Sequence, residues 1–318
     1  MTGKSNAGNA KGGRTRRYTM AGAAIDAPPV EPALYLVATP IGNLRDISLR
    51  ALETLAAADA IACEDTRVTR KLTAHYGIDA PLTPYHEHNA VEARPKILAR
   101  LAEGEAVALV SDAGTPLISD PGYRLVRAAV EAGHTVTALP GASAVLAALG
   151  VSGLPTDRFF FEGFLPPKQA ARQKRIAELS TVPATLIVFE SGPRLAAALA
   201  DLAAGLGPRA AAICRELTKL HEEIRRGDLD ALAQGAGTGE VRGEIVLVIG
   251  PPPASPQPSA DDTEALLREA LARSSLKDAV AEIAETTGLP RRQLYQRALE
   301  LTKQPDKTSQ GPSREAPR

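Results

Sequence analysis

SDAGTPLISDPG, residues Ser111–Gly122, follows the apolar run Ala106–Val110. A buried strand that runs into Ser-Asp-Ala-Gly-Thr-Pro continues neither as strand nor as helix. Gly114 tolerates positive φ, and Pro116 lacks an N–H and restricts Thr115. A second turn, Asp120-Pro121-Gly122, bends the chain again before helical periodicity begins at Tyr123. In a parallel α/β sheet such a loop lies at the carboxyl edge of a strand, where ligands bind.

The pattern around this loop alternates. Leu34–Thr39 and Ala60–Cys63 read as strands, and Thr135–Leu139 as another. Ser48–Ala57 is helical, with Leu49, Leu52 and Leu55 on one face; Arg67–Tyr76, Val91–Ala102, Tyr123–Ala132 and Ala142–Ala148 follow the same period. Strand and helix in alternation predict a mostly parallel sheet. Gly150–Thr156, with two Gly and one Pro, marks an internal boundary. Beyond it, strands at Arg158–Glu162, Thr185–Phe189, Ala210–Cys214 and Glu244–Ile249 are separated by fewer helices, which predicts a mixed α+β lobe. Pro251–Pro258 is linker-like. Helices at Thr263–Arg273, Leu276–Thr287 and Pro290–Leu301, with a Gly288-Leu289 turn, have a helix-turn-helix shape. The expected organisation is an α/β, two-lobed chain. Residues 1–31 form a disordered tail, 32–152 a mostly parallel lobe and 153–252 a mixed lobe. A linker at 253–260, a helical unit at 261–302 and a second tail at 303–318 complete it.

Lys+Arg and Asp+Glu balance at 37 each, so no whole-protein field attracts polyanions, and any nucleic-acid contact rests on local clusters. Trp is absent and aromatics are 3% of 318 residues, which argues against a base-stacking platform of the single-strand-binding type. Cys63 and Cys214 lack ligand-like spacing, so neither a disulfide framework nor a zinc site is expected and a reducing cytoplasm fits. The uncharged stretch Ala132–Thr156 is broken by Gly133, Pro140, Gly141, Gly150, Gly153 and Pro155, which argues against a membrane span. Lys4, Lys11, Arg14, Arg16 and Arg17 precede the first acid, Asp26; a disordered basic tail, a start upstream of the true one, or an RNA-binding arm each fit.

Three strand-end loops carry the chemistry: TPIGN at 39–43, SDAGTP at 111–116 and PGAS at 140–143. A nucleotide-binding fingerprint G-x-G-x-x-G is missing after the first strand, and the glycine run Gly235–Gly239 precedes a strand rather than following one. Ser143 is placed to cap the next helix and leave N–H groups near a ligand. His86-Glu87-His88 lacks a third ligand, and no metal is expected. Arg67, Arg70 and Lys71 recur along one helix; Lys168, Arg172, Lys174 and Arg175 form a second basic cluster, and Arg291, Arg292 and Arg297 a third. Solvated helix faces explain such clusters equally well.

Taken together, ATPIGNLRDIS (38–48), ACEDTRVTRKL (62–72), YHEHN (85–89), SDAGTPLISDPG (111–122), LPGASA (139–144), FEGFLPPK (161–168), FESGPR (189–194) and CRELTKLHEE (214–223) resemble the tetrapyrrole-methylase superfamily. Within it they resemble the ribosomal RNA small subunit methyltransferase I family. The resemblance covers about Leu34 to Pro251 and continues into the carboxyl-terminal unit. It implies S-adenosylmethionine held in a folded conformation between two lobes, and methylation of the ribose 2′-oxygen of a cytidine in the decoding region of 16S rRNA. It further implies the small ribosomal subunit as partner, a homodimer, and neither membrane nor DNA. Carried onto this chain, Pro40, Asp112, Ala113, Gly114, Thr115, Ala142 and Ser143 surround the cofactor, with Asp112 either touching it or closing an Asx-turn. Arg67, Arg70, Lys71, Lys168, Arg172, Arg291 and Arg292 are the candidate RNA contacts.

Methyl transfer to a hydroxyl needs alignment first, and a ribose hydroxyl gains from a nearby base. Lys219 and Asp65 are the alternative proton acceptors, with Glu64 beside them; each also reads as a surface ion pair. A small-molecule methylase on the same fold, and a DNA-binding regulator with a ligand-sensing domain, are the competing expectations.

Overall fold

The computed structural model describes residues 16–120, 122–236, 241–253 and 259–303. The chain divides into two compact units, 1–252 and 253–318. The first opens with a hairpin, β1 (Arg17–Met20) and β2 (Ala23–Asp26), so the tail expected over 1–31 is too long. Ala21 and Gly22 both hold positive φ, 50° and 81°. Such a two-residue turn matches the twist of paired strands. Tyr18 is buried in the same core as Tyr76, and the Thr19 N–H donates to the Tyr76 carbonyl. Residues 1–15 and 304–318, and 254–258 of the expected linker, lie outside the described residues.

The first lobe contains β3 (Leu34–Val37), α1 (Leu49–Ala57), β4 (Ala60–Cys63), α2 (Thr66–His75), β5 (Leu82–Pro84), α3 (Ala90–Ala102), β6 (Val107–Val110), α4 (Tyr123–Glu131) and β7 (Val136–Leu139). Its sheet runs β5-β4-β6-β3-β7 and every pairing is parallel. All of β4 and β6 is buried because helices cover both faces. Val107 and Leu109 pack with Ile97 and Leu125, while Ala108 and Val110 pack with Leu52 and Leu55 on the other side. From β3 the chain crosses over to β4, and from β6 it crosses the other way to β7. Adjacent strands left in opposite directions create a crevice beyond their carboxyl ends. The loops after β3 and β6 stand there.

Helix α5 (Ala144–Ser152) is capped by the Ser143 hydroxyl and runs through Gly150 to a left-handed Gly153, φ 78°. Of the expected boundary segment 150–156, residues 150–152 are thus helical. Val145, Ala148 and Leu149 of α5 pack on Ile187, Cys214, Val246 and Val248 of the second sheet, which ties the lobes together. That second lobe contains β8 (Phe159–Phe164), α6 (Gln169–Leu179), β9 (Thr185–Ser191), α7 (Leu195–Leu206), β10 (Ala210–Arg215), β11 (Glu223–Asp228), α8 (Leu229–Gln234) and β12 (Glu244–Ile249). Its order is β11-β10-β12-β9-β8, antiparallel except for β8 with β9, so the sheet is mixed.

In the second unit, α9 (Ala260–Arg273), α10 (Leu276–Thr287) and α11 (Arg291–Lys303) close around Leu267, Ile283, Leu294 and Leu301. Ser259 and Asp262 form a capping box at α9, and Gly288 at φ 71° turns α10 into α11. Among the described residues no helix is long and apolar enough to cross a membrane. Cys63 and Cys214 are both buried and free.

Candidate functional site

The crevice is built by a bridge between two loops. Thr39 N–H donates to the Gly114 carbonyl and Gly114 N–H to the Thr39 carbonyl, both at 2.9 Å. Gly114 sits at φ 79°, and a Cβ there would meet Ile41 Cγ2 at 3.3 Å. A β-branched side chain at this position would be strained and crowded. The Thr115 hydroxyl donates to the Ala142 carbonyl at 3.2 Å, which joins the third loop to the second. All three strand-end loops thus form one ligand-facing edge.

A cavity of about 330 Å³ lies between this edge and the second lobe. Ala113, Gly114, Thr115 and Ser143 line it on one side. The opposite wall comes from Phe189, Glu190, Cys214 and Val246, with Phe164 and Leu217 beside them. Phe189 meets Phe161 and Phe164 edge-on at 4.9 and 5.6 Å. Gly163, at φ 78° next to a register shift in β8, approaches the Ser119 hydroxyl so closely that a Cβ would stand 3.2 Å away.

Pro40, Asp112 and Ala142 do not line the cavity. Asp112 does not close an Asx-turn: its Oδ1 accepts from the Asp65 N–H at 3.0 Å, clamping the end of β4 to the end of β6. The acid that lines the cavity on this side is Asp120, eight residues along the same motif. Burial, followed by the charge of Glu64, pushes its pKa up to about 6; a hydrogen bond from Ser111 opposes this and the charge of Asp112 adds a lesser push. Glu64 stands outside the lining, and burial and Asp112 raise its pKa as well.

Both expected proton acceptors are engaged in ion pairs. Asp65 caps α2, accepts from Arg67 N–H at 2.8 Å and is gripped by the Arg67 guanidinium; these bonds hold its pKa at about 2. Lys219 donates to Glu216 at 2.9 Å and Glu244 at 2.8 Å. Burial costs its ammonium something, but the two carboxylates outweigh it and raise the pKa, so the group stays a cation. Its stem packs on Gly42, where a Cβ would meet Lys219 Cγ at 2.4 Å. Lys219 thereby braces the TPIGN loop and the Glu244 rim of the cavity. Glu216 and Thr218, at φ 49° and 66°, show how tightly this turn is wound.

The RNA candidates separate cleanly. Arg172 is not a surface cation: it is buried, pairs with Asp201 at 2.6 Å and donates to the Pro167 carbonyl. Arg67 is exposed but engaged by Asp65. Arg70, Lys71, Lys168, Arg291 and Arg292 are exposed and form no ion pair among the described residues. Arg297 is held by Glu264 and Glu300, and Arg175 by Glu162 and Glu178.

Comparison with known proteins agrees with this architecture. Residues 33–233 match Tetrapyrrole (Corrin/Porphyrin) Methylases, and residues 257–302 match the RsmI C-terminal HTH domain. The chain is 56% identical over 279 residues to "Ribosomal RNA small subunit methyltransferase I" of Mesorhizobium japonicum, covering 87% of this chain and 95% of that protein. The protein of the same name from Erythrobacter litoralis is 54% identical over 275 residues, covering 86% and 97%. Among solved structures, a diphthine synthase superposes with a TM-score of 0.53 at 18% identity, covering 68% of this chain and 89% of that one. This last likeness speaks for the fold alone. The parallel lobe, the mixed lobe, the cavity between them and the helical unit are those of a methyltransferase, and the chain belongs to the tetrapyrrole methylases and, within them, to the ribosomal RNA small subunit methyltransferase I family.

Proposed function

We propose that the protein transfers a methyl group from S-adenosylmethionine to the ribose 2′-oxygen of a cytidine in 16S rRNA, acting in the cytoplasm on the small ribosomal subunit. The observation that carries this reading is the 56% identity over 95% of a relative bearing that family's name. The cytoplasmic setting and a homodimer are carried over with the family.

The cavity residues fit such a cofactor. A nucleoside with an amino-acid tail needs an apolar slot and a few convergent polar groups; Phe189, Cys214 and Val246 supply the first, and Thr115 and Ser143 the second. The amino end of α5, where Ser143, Ala144 and Val145 line the cavity, favours a carboxylate. When bound, S-adenosylmethionine supplies an electrophilic methyl group on a sulfonium. The protein's own work is to align the attacking oxygen and to receive its proton. Asp120 is the lining acid best suited to receive it, because a pKa near 6 leaves it ionised at neutral pH yet more basic than an ordinary carboxylate. Arg70, Lys71, Lys168, Arg291 and Arg292 hold RNA phosphates, which positions the strand without reading its sequence.

Lys219→Ala is expected to lower turnover by about 10- to 100-fold through displacement of the cavity rim. The pH dependence of the remaining activity should be unchanged, since Lys219 does not take the proton. A shifted acid limb would return Lys219 to the role of base.

The reading is tested by incubating the full chain with methyl-labelled S-adenosylmethionine and, separately, small ribosomal subunits, free rRNA, a tetrapyrrole and duplex DNA. Label is expected in rRNA; label in the tetrapyrrole, or in none of the four, would refute it.

A further inference from the structure

Glu190 is the penultimate residue of β9, a strand whose other residues are apolar apart from Thr185 and Ser191, and its side chain is fully buried. Its Oε1 accepts from the Ser191 N–H at 2.8 Å and lies 3.3 Å from Arg194 Nε. Its Oε2 is buried and has no hydrogen-bond partner among the described residues, although Glu190 lines the cavity. A buried carboxylate oxygen without a donor costs free energy that a folded chain normally avoids. The simplest compensation is a donor that arrives with the ligand.

We infer that Glu190 Oε2 accepts from the exocyclic amine of the cofactor's adenine and so makes the site specific for an adenosyl ligand. This rests on the proposed cofactor and deepens it. At about 330 Å³ the cavity is near the lower end of the roughly 300–1,000 Å³ span of small-molecule sites, room for one nucleoside-sized ligand and not two. A target nucleotide therefore stays at the mouth, and a fully buried acceptor meets the cofactor. The two halves of the cavity assign its ends. Around Glu190 the wall is Phe189, Cys214, Ile245 and Val246, suited to a flat heterocycle; the loop side, with Thr115, Ser143 and the α5 amino end, suits the charged amino-acid portion. Adenine carries an N–H₂ donor on its edge, the counterpart a carboxylate needs.

The test compares binding of S-adenosylhomocysteine with S-inosylhomocysteine, in which a carbonyl replaces the amine, by calorimetry on the full chain at pH 7.5. The wild type is expected to prefer the adenosyl ligand by about 10-fold or more, as for loss of a hydrogen bond to a charged group. In Glu190→Gln the amide can also donate to the carbonyl, so the preference should collapse to within about threefold or invert. If Glu190 only held Arg194 in place, the substitution would weaken both ligands alike, and an unchanged preference overturns the proposal. Equal binding of the two ligands by the wild type overturns it without any variant. Binding of neither ligand to the wild type would overturn the cofactor reading itself, a result distinct from binding without discrimination.

Discussion

Replacing Asp120 with Asn should lower the methyl-transfer rate by about 10²- to 10⁴-fold, the usual contribution of a positioned base. S-adenosylhomocysteine affinity should fall far less. The wild-type rate should decline as pH drops through about 6, where Asp120 becomes protonated, and this acid limb should vanish in the variant. Stability should move the opposite way. The folded-state pKa of Asp120 lies above its ordinary 3.8, so the native state holds the extra proton between those values. Stability from this group is complete below about pH 4 and is lost as pH rises through about 6. Asp120→Asn should therefore raise the melting temperature at pH 7.5, with the gain shrinking toward pH 4. A variant that keeps full turnover would remove Asp120 from the chemistry.

Arg172→Ala should cost about 3–5 kcal/mol of stability, the penalty for leaving one member of a buried pair uncompensated. Both side chains of the Arg172–Asp201 pair are only 7% exposed. Burial works against the Asp201 carboxylate, yet donations from Gln173, Arg172 and Gln169 outweigh it and hold its pKa below the ordinary range. Because that pKa is depressed, the pair's contribution is present above the unfolded carboxylate range and is lost as pH falls through the folded value. The deficit of the variant, read by thermal denaturation, should accordingly shrink in acid. The exposed neighbour Lys168 provides the contrast: Lys168→Ala should leave the melting temperature in place and weaken rRNA binding with a smaller salt dependence. If Arg172→Ala instead melted like the wild type and lost only RNA affinity, Arg172 would be the surface contact that its neighbours in sequence imply.

Arg172 illustrates what the sequence can and cannot disclose. Lys168, Arg172, Lys174 and Arg175 look like one basic cluster, but helical spacing turns Arg172 inward to Asp201 while Lys168 and Lys174 face out. The parallel lobe was legible because buried strands such as AIAC at 60–63 and VALV at 107–110 must be apolar throughout, and helices must carry one apolar face. Strand β11, EIRRGD, carries no such mark: it is an exposed edge strand that, among the described residues, pairs only with β10. The β1–β2 hairpin was hidden by a tail-like composition, its one informative signal being the Ala21-Gly22 turn between alternating residues.

The site divided in the same way. Its loop half was legible because Gly114, Pro116 and Ser143 mark backbone geometry directly. Its other half is built from ordinary strand residues, Phe189, Cys214 and Val246, which become a cavity wall only when the lobes meet. Glu190 alone carried a signal, an acid closing the run TLIVF. Asp120 was masked by its motif: Asp112 is the more conspicuous acid, but its Oδ1 holds the Asp65 N–H and it does not line the cavity.

Methylation of a ribose oxygen in small-subunit RNA is read from the position of the transferred labelled methyl group. After reaction with small ribosomal subunits, the RNA is hydrolysed with alkali, which cannot cleave next to a 2′-O-methylated ribose. The label should reside in one alkali-resistant dinucleotide whose methylated residue is cytidine. Label released as a methylated base from an alkali-sensitive mononucleotide would contradict it.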